Sequence, residues 1–301
     1  VHRPALKVVG GTTLQALAAW LVARPQHAIL GLAVTLLLPA PQLTSGVIMV
    51  LLVLGQGTRL AVTEALVAAA AVLTASMLFG TPIASVVTLI AGTWVPVLLL
   101  AVLLLSTRSL TLTIQVSVIV AVTSMIGFYV VVADPVAFWQ PYLDLMAEVA
   151  RQSGLELNEE LLNAEVMTVS ATLAFWMLYI TGLLLGYGLY KKLPAETSHY
   201  GWFRDLNFGR VIAFTMALVS LLAVVVGVTW LKNVAFVLFV TFWIQGLALL
   251  HFMRAEKLIP PGAVVAVYVL VPLLQVLMIT ALAVVGYMDA WFGFRRRLKK
   301  A

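Results

Sequence analysis

Long stretches of this sequence contain no residue of fixed charge, and they constrain the fold more than any other feature. Between Arg24 and Arg108 the fixed charges are Arg59 and Glu64 alone. Further stretches without fixed charge cover residues 109–133, 166–190, 211–231, 233–253 and 258–288. Each is about as long as the roughly 20 apolar residues with which a helix crosses hydrocarbon. They are too numerous for the core of one soluble domain, so the sequence predicts an all-α, polytopic bundle of transmembrane helices.

The composition agrees with a membrane protein and excludes a soluble one. Hydrophobic residues make up 63% of the chain and charged residues 10%, whereas ordinary globular domains are about half apolar and about a quarter charged. The net charge of +6 does not indicate nucleic acid, because the basic residues fall in short loops and at helix ends, where they set orientation. We therefore expect the lipid bilayer as a partner and no nucleic acid. The chain has no cysteine, which excludes disulfides and cysteine-based metal sites.

The apolar stretches predict about eight or nine spans. Prolines and Gln42 interrupt residues 28–54, which favours two short helices with a turn at Pro39–Ser45. Ahead of them, Ala5–Ala23 has the pattern of a signal peptide, but its glycines and polar residues favour an interfacial or weakly inserted helix. The other predicted spans are Leu60–Phe79, Ile83–Leu105, Leu110–Val132, Val166–Leu189, Val211–Val228, Val234–Phe252 and Ala263–Met288. We expect one integral membrane domain, residues 1–301, with helix groups at 27–133 and 166–290 and a basic tail at 291–301.

The distribution of lysine and arginine predicts the orientation, since these residues accumulate on the cytoplasmic side. With the N-terminus on the cytoplasmic side of the membrane, Arg24, Arg59, Arg108 and the loops 191–210 and 254–257 are all cytoplasmic. The tail conflicts with this arrangement. After nine spans its basic residues would end outside the cell; they are Arg295, Arg296, Arg297, Lys299 and Lys300. Either one predicted span is wrong, the proline-broken pair or the last one around Pro272, or the tail departs from the rule.

The longest loop, residues 134–165, is acidic. It holds seven acidic residues and the single base Arg151, and the predicted orientation places it outside. Pro141 suits the first turn of a helix, apolar residues from Tyr142 to Val149 recur at helical spacing, and Gly154 suits its end. We expect an amphipathic helix on the outer membrane surface. The alternative is a lid over an outward-facing cavity.

Four polar residues within the apolar stretches are candidates for lining a cavity. Glu64 is the only carboxylate predicted at membrane depth, where an ionisable group is a functional hypothesis by default. The alternative is a structural pairing with Arg59 or water near the interface. An amide in lipid must find a partner, so Gln115, Gln245 and Gln275 predict either interhelical hydrogen bonds or a substrate cavity. The sequence contains no recognised catalytic, cofactor or metal-binding motif, and it predicts no enzyme and no cofactor.

The loop KKLPAETSHYGWFRDLNFGR, residues 191–210, interleaves aromatic and charged side chains. Such residues anchor a protein at the headgroup layer, which is one interpretation. The other is a docking site for a cytoplasmic or membrane partner. Its candidate residues are Trp202, Phe203, Arg204, Asp205 and Arg210.

Three segments resemble a known family. GWFRDLNFGR at 201–210, IQGLALLH at 244–251 and YMDAWFGFRRRLKK at 287–300 are similar to the YybS-like family of bacterial inner-membrane proteins, whose function is not established. The resemblance implies a remote likeness of the N-terminal helices to the substrate-binding S components of energy-coupling-factor vitamin transporters. About three extra C-terminal helices distinguish this chain from such components, and no vitamin-binding residue carries across.

Three functions follow as hypotheses. The leading one is a non-enzymatic, S-component-like transport subunit that binds a small molecule in its bundle and works with a membrane partner. Because the chain has no ATP-binding motif, ATP-derived energy would come from another chain. The alternative is a membrane scaffold for cell-envelope machinery, with the 201–210 loop and the basic tail contacting partners or anionic lipid. An integral membrane enzyme is a third.

Overall fold

The computed structural model describes residues 13–154, 163–194 and 197–298. Helices are the regular secondary structure of these residues, and within them no strand occurs, which confirms the predicted all-α class. The helices are α1 Thr13–Ala23, α2 Pro25–Leu36, α3 Pro41–Gln56, α4 Thr58–Leu78, α5 Ile83–Thr107, α6 Leu110–Val131, α7 Pro135–Gln152, α8 Ala164–Tyr190, α9 Gly209–Val226, α10 Thr229–Ala255, α11 Pro261–Leu273, α12 Gln275–Phe292 and α13 Phe294–Leu298.

Seven of the described helices are long and apolar enough to cross a membrane: α4, α5, α6, α8, α9, α10 and α12. The count rises to eight if α1 and α2, which bend by 113° at Arg24, together form one broken span. α3 and α11 are apolar but shorter. The chain is therefore a multi-pass membrane protein, and its seven or eight candidate spans among the described residues are close to the eight or nine predicted. Residues 5–12 of the predicted first stretch lie outside the described residues.

By its internal contacts the chain divides into two compact units. The first unit comprises Val1–Thr113 and Met177–Gly201, and the second comprises Ile114–Trp176 and Trp202–Ala301. Two of the boundaries fall within α6 and α8, and the third falls between Gly201 and Trp202, after α8. The single domain predicted from the sequence stays a prediction.

The predicted interruption of residues 28–54 is confirmed in the first unit, with a shorter turn than expected. α2 ends at Leu36 and α3 already begins at Pro41, because proline suits the first helical position, where its missing N–H costs no hydrogen bond. Ser45, which was predicted in the turn, is fully buried in α3. Its hydroxyl donates to the carbonyl of Leu32 at 3.2 Å and accepts from Trp94 Nε1 at 2.7 Å.

α3 is the central helix of the first unit although it is too short to span by itself. Ile48 to Leu54 are all buried. Gly182 and Gly186 of α8 pack against α3. A Cβ on Gly186 would lie 2.8 Å from the carbonyl oxygen of Val47. The lack of a side chain at Gly186 thus allows the two helix backbones to approach closely.

α5 carries Pro96 in its interior. Proline has no N–H, so the carbonyl of Gly92, one turn earlier, loses its helical donor. The Tyr179 hydroxyl on α8 donates to that carbonyl at 2.6 Å. A neighbouring helix thus restores the missing hydrogen bond, which is how membrane helices tolerate proline.

In the second unit, α10 is the central helix, and its principal packing partner is α12. Their backbones touch: a Cβ on Gly246 would lie 2.1 Å from the carbonyl oxygen of Leu282, and one on Gly286 would lie 2.1 Å from that of Phe242. No side chain larger than hydrogen fits at either position, since real Cβ atoms do not approach that closely. The contact is the closest glycine-mediated approach among the described residues.

α10 and α12 run parallel. Phe242 packs edge-on against Tyr287, Gln245 bonds to Asp289, and the Arg295 guanidinium lies over Phe252. Residue numbers rise together along this series, which only a parallel pair permits. The C-terminal end of α12 therefore lies at the same end of the second unit as the C-terminal end of α10.

The predicted last span, Ala263–Met288, is wrong as a single helix. α11 ends at Leu273 and α12 begins at Gln275, one residue later. Pro272 accounts for the break, because it removes a backbone donor and its ring crowds the preceding turn. At 13 residues, α11 rises roughly 20 Å, and α12 then returns toward the end from which α11 started. The start of the tail therefore lies at the same end of the second unit as the 202–210 loop and the 254–257 turn. This location removes the conflict between the basic tail and the predicted orientation.

The acidic loop contains the predicted amphipathic helix, α7, with a different start. Asp134 caps it by accepting from Ala137 N at 3.0 Å, and Pro135 takes the first position. Pro141, predicted to open the helix, lies inside it. An exposed apolar stripe of Phe138, Tyr142, Leu145 and Val149 runs along one face, and the polar pairs Gln140–Asp144 and Glu148–Arg151 occupy another. Glu156, Glu159 and Glu160 lie outside the described residues.

Candidate functional site

The segment between α8 and α9 is held by two of the predicted glutamines. Gln115 Nε2 donates to the carbonyls of Asn207 and Phe208, at 3.1 Å each. Gln245 Oε1 accepts from the N–H of Phe208 at 2.8 Å. Leu206 and Phe208 are buried beside them. Two amides from different helices therefore fix the backbone of this non-helical segment, and the predicted interhelical role of Gln245 has a concrete partner.

The other end of the Gln245 amide binds a carboxylate that the sequence did not single out. Its Nε2 donates to Asp289 Oδ2 at 3.0 Å, and both residues are fully buried. Asp289 lies within the candidate span Gln275–Phe292. Asp289 is thus a second buried carboxylate on a candidate span, beside Glu64 on α4. The sequence did not single it out because the predicted span ended at Met288, one residue earlier.

Arg295 folds back onto this carboxylate. Gly293 adopts a left-handed conformation, with φ of 59°, and reverses the chain after α12. Arg295 Nε then lies 3.5 Å from Asp289 Oδ2, and the side chain of Arg295 is 12% exposed. Its guanidinium carbon is 5.9 Å from the centre of the Phe252 ring, within range of a cation–π interaction.

The ion pair between Arg295 and Asp289 leaves several polar atoms of the two side chains without a hydrogen bond. Among the buried polar atoms of the described residues, Asp289 Oδ1 and Arg295 Nε and Nη2 have no hydrogen-bond partner. Burial lowers the pKa of the Arg295 guanidinium, against the opposing effect of the Asp289 and Asp205 carboxylates. The site therefore holds a buried cation and a buried anion whose hydrogen-bonding capacity is incompletely used.

The predicted docking residues lie on the outside of the same segment. A short 3₁₀ helix, Phe203–Asp205, follows Trp202, which is 52% exposed. Arg204 stacks over the Trp202 ring, with its guanidinium carbon 5.4 Å from the ring centre. Phe203 meets His251 edge-on at 5.5 Å. Arg204, Asp205 and Arg210 are exposed, and Arg210 lies at the start of α9, which follows this segment.

Charge is distributed unevenly between the two ends of the second unit. The end that carries the 202–210 segment holds Arg204, Arg210, Arg254, Lys257, Arg295, Arg296 and Arg297, with Asp205, Glu256 and Asp289 as its acidic residues. The opposite end holds Asp134, Asp144, Glu148 and Glu165, with Arg151 and Lys232 as its basic residues. We call the first of these the basic end.

The remaining two predicted cavity residues do not join this cluster. Gln275 is exposed at the first position of α12, 14 residues before Asp289 and thus roughly 20 Å away along the helix. Glu64 belongs to the first unit, where it is buried on α4 and accepts a hydrogen bond from Gln56 Nε2. Within the second unit the structure thus unites Gln115 and Gln245 and leaves Gln275 apart.

The cluster consists of Gln115, Gln245, Asp289 and Arg295 around the backbone of Asn207 and Phe208. Within the described ranges, no group of three or more histidine, aspartate or glutamate side chains is placed to hold a metal ion. His251 is hydrogen-bonded to the Tyr268 hydroxyl at 3.0 Å. No protein-family model matches the chain, and no curated protein or solved structure matches it either. The resemblance to the YybS-like family stays a prediction.

Proposed function

We propose that this chain is a scaffold subunit of the bacterial inner membrane. Its cytoplasmic end presents an exposed surface of aromatic and basic residues to a partner protein. The surface is the basic end around Trp202, Arg204 and Arg210. The positive-inside rule assigns this end to the cytoplasm, because arginine and lysine concentrate there. The resemblance to the YybS-like family is compatible with this proposal, and the assignment to the bacterial inner membrane depends on it.

One observation carries the proposal: the amides of Gln115 and Gln245 are used on the backbone of Asn207 and Phe208. If these amides lined a substrate cavity, their N–H donors and carbonyl acceptors would face the cavity and be available to the substrate. Here they fix the loop that displays the exposed aromatic and charged residues. Because such a loop binds without first becoming ordered, it loses less entropy on docking than a flexible one.

Site-specific photo-crosslinking tests this function. A benzophenone amino acid at Trp202 and, separately, at Arg210 should give one protein adduct of the same mass in living cells. The matched control is Tyr142, which is 53% exposed on α7 at the opposite end. Adding Gln245→Leu should abolish the adduct while the protein remains in the membrane. Equal adducts from Tyr142, or none from Trp202 and Arg210, would contradict the proposal.

A small-molecule transport subunit is the second candidate, and two observations favour it. The break at Leu274 is the kind of helix interruption that membrane transporters use near binding sites. Asp289 Oδ1 is a buried acceptor without a partner among the described residues. Native mass spectrometry of the purified chain separates the two functions: a metabolite that is bound by the wild type and lost in Asp289→Asn supports transport.

A further inference from the structure

We propose that the C-terminal end of the chain binds the headgroups of anionic phospholipids, and that Asp289 and Arg295 position it to do so. The binding surface, which we call the arginine face, consists of Arg296 and Arg297 with the neighbouring apolar residues Phe292, Phe294 and Leu298. This inference does not depend on a protein partner at Trp202.

The arginine face lies at headgroup depth. α12 is a candidate span that ends at Phe292, and α13 begins two residues later at Phe294. Phe292 is 53% exposed and stacks on Phe294 with ring centroids 6.2 Å apart. Aromatic side chains directly at the end of a span are typical of the membrane interface. The arginines that follow are therefore within reach of lipid phosphates.

The three consecutive arginines have different environments. Arg295 points back into the protein, where it faces Asp289 and the Phe252 ring. Arg296 and Arg297 are exposed. Because Arg295 is tied to a buried carboxylate, α13 has a fixed attachment, and the two exposed guanidinium groups are held close to the end of the span.

The composition of the face favours lipid over an acidic protein. α13 combines the exposed arginines with Phe294 and Leu298 on one short helix, and a surface that is both basic and apolar matches the boundary between headgroups and acyl chains. Exposed bases surround it on the same end, namely Arg204, Arg210, Arg254 and Lys257, whereas the exposed acids there are Asp205 and Glu256. The field at this end therefore attracts an anionic bilayer surface.

The test uses the full chain in nanodiscs of phosphatidylcholine that contain a minor fraction of phosphatidylglycerol. Native mass spectrometry of the released protein counts the lipids that remain bound. We expect selective retention of phosphatidylglycerol by the wild type and a loss of about tenfold or more in Arg296→Gln/Arg297→Gln, since each basic residue near the surface contributes roughly fivefold. The matched control, Arg151→Gln/Lys232→Gln, removes two exposed bases from the opposite end and should bind like the wild type.

Asp289 provides a sharper test of the positioning role. Asp289→Asn removes a negative charge, so charge alone would increase the affinity for phosphatidylglycerol. If the carboxylate positions α13 through Arg295, the affinity should instead fall by about fivefold. Should Asp289→Asn fail to fold, Asp289→Asn/Arg295→Met avoids a buried unpaired cation and should show the same loss.

Three results would overturn the inference. Equal retention of phosphatidylcholine and phosphatidylglycerol by the wild type would contradict lipid selection. Unchanged binding in Arg296→Gln/Arg297→Gln would show that the arginine face is not the site. Unchanged or tighter binding in a folded Asp289 variant would remove the positioning role of the buried pair.

Discussion

Among the described residues, Glu64 is the buried carboxylate of the first unit and Asp289 that of the second, and each accepts a hydrogen bond from a glutamine amide. In the first unit, Glu64 on α4 accepts from Gln56, close to it along the chain. In the second unit, Asp289 on α12 accepts from Gln245 on α10. Asp289 also faces a cation, Arg295, and keeps one oxygen without a partner among the described residues.

The difference indicates two roles for a buried charge in a membrane helix. The Gln56–Glu64 hydrogen bond joins two consecutive helices, α3 and α4. The Gln245–Asp289–Arg295 chain joins α10, α12 and the tail, and through Phe208 it reaches the exposed loop. A change at Asp289 is therefore transmitted to the surface, whereas we expect a change at Glu64 to stay local.

Glycine substitutions should have the largest effect, because they separate the helices on which the Asp289 site depends. Gly246→Ala places a Cβ 2.1 Å from the Leu282 carbonyl oxygen, and α10 must move to accommodate it. We expect a loss of at least about 3 kcal/mol in the free energy of unfolding, or no folded protein. Unfolding by SDS titration measures this. Gly127→Ala, where no atom lies within 4 Å, is the control and should be neutral or stabilising.

Removing the two carboxylates should affect stability unequally. Asp289→Ala leaves the Arg295 cation buried without its counter-charge, which should cost about 3 kcal/mol. Glu64→Ala leaves the Gln56 amide without this acceptor, which should cost about 1 kcal/mol. Parallel SDS titrations compare the two variants. Equal losses in the free energy of unfolding would show that the buried Arg295 cation does not increase the cost of removing Asp289. They would contradict the difference proposed between the two buried carboxylates.

The sequence predicted the helical class and the loop with its amphipathic helix, because these follow from local charge and periodicity. It also predicted that Gln245 would find an interhelical partner, since an amide in lipid has few alternatives. It did not predict Asp289 as part of the site. The partners of Asp289 lie on α10 and beyond the turn at Gly293, and only the close parallel contact at Gly246 and Gly286 brings them together. That contact is non-local and has no signature in residue spacing.

Removing the hydrogen bond that compensates for Pro96 should have the smallest effect on stability. Tyr179→Phe removes the donor to the Gly92 carbonyl and leaves a backbone acceptor without its partner, so we expect a loss of about 1 kcal/mol. Tyr142→Phe, at an exposed position on α7, is the matched control. The effect should be confined to the first unit and should leave phosphatidylglycerol binding by the arginine face unchanged; a change in lipid binding would contradict this independence.

The central claim is that α11 and α12 form a hairpin that returns the tail to the end holding the 202–210 segment. The chain has no cysteine, so single cysteines at Arg204, Lys257, Arg297 and Ser153 can be labelled in intact cells with a membrane-impermeant maleimide. We expect Ser153→Cys to react and the other three to react only after the cells are opened. Reaction of Arg297→Cys together with Ser153→Cys in intact cells, while Lys257→Cys stays protected, would contradict the hairpin.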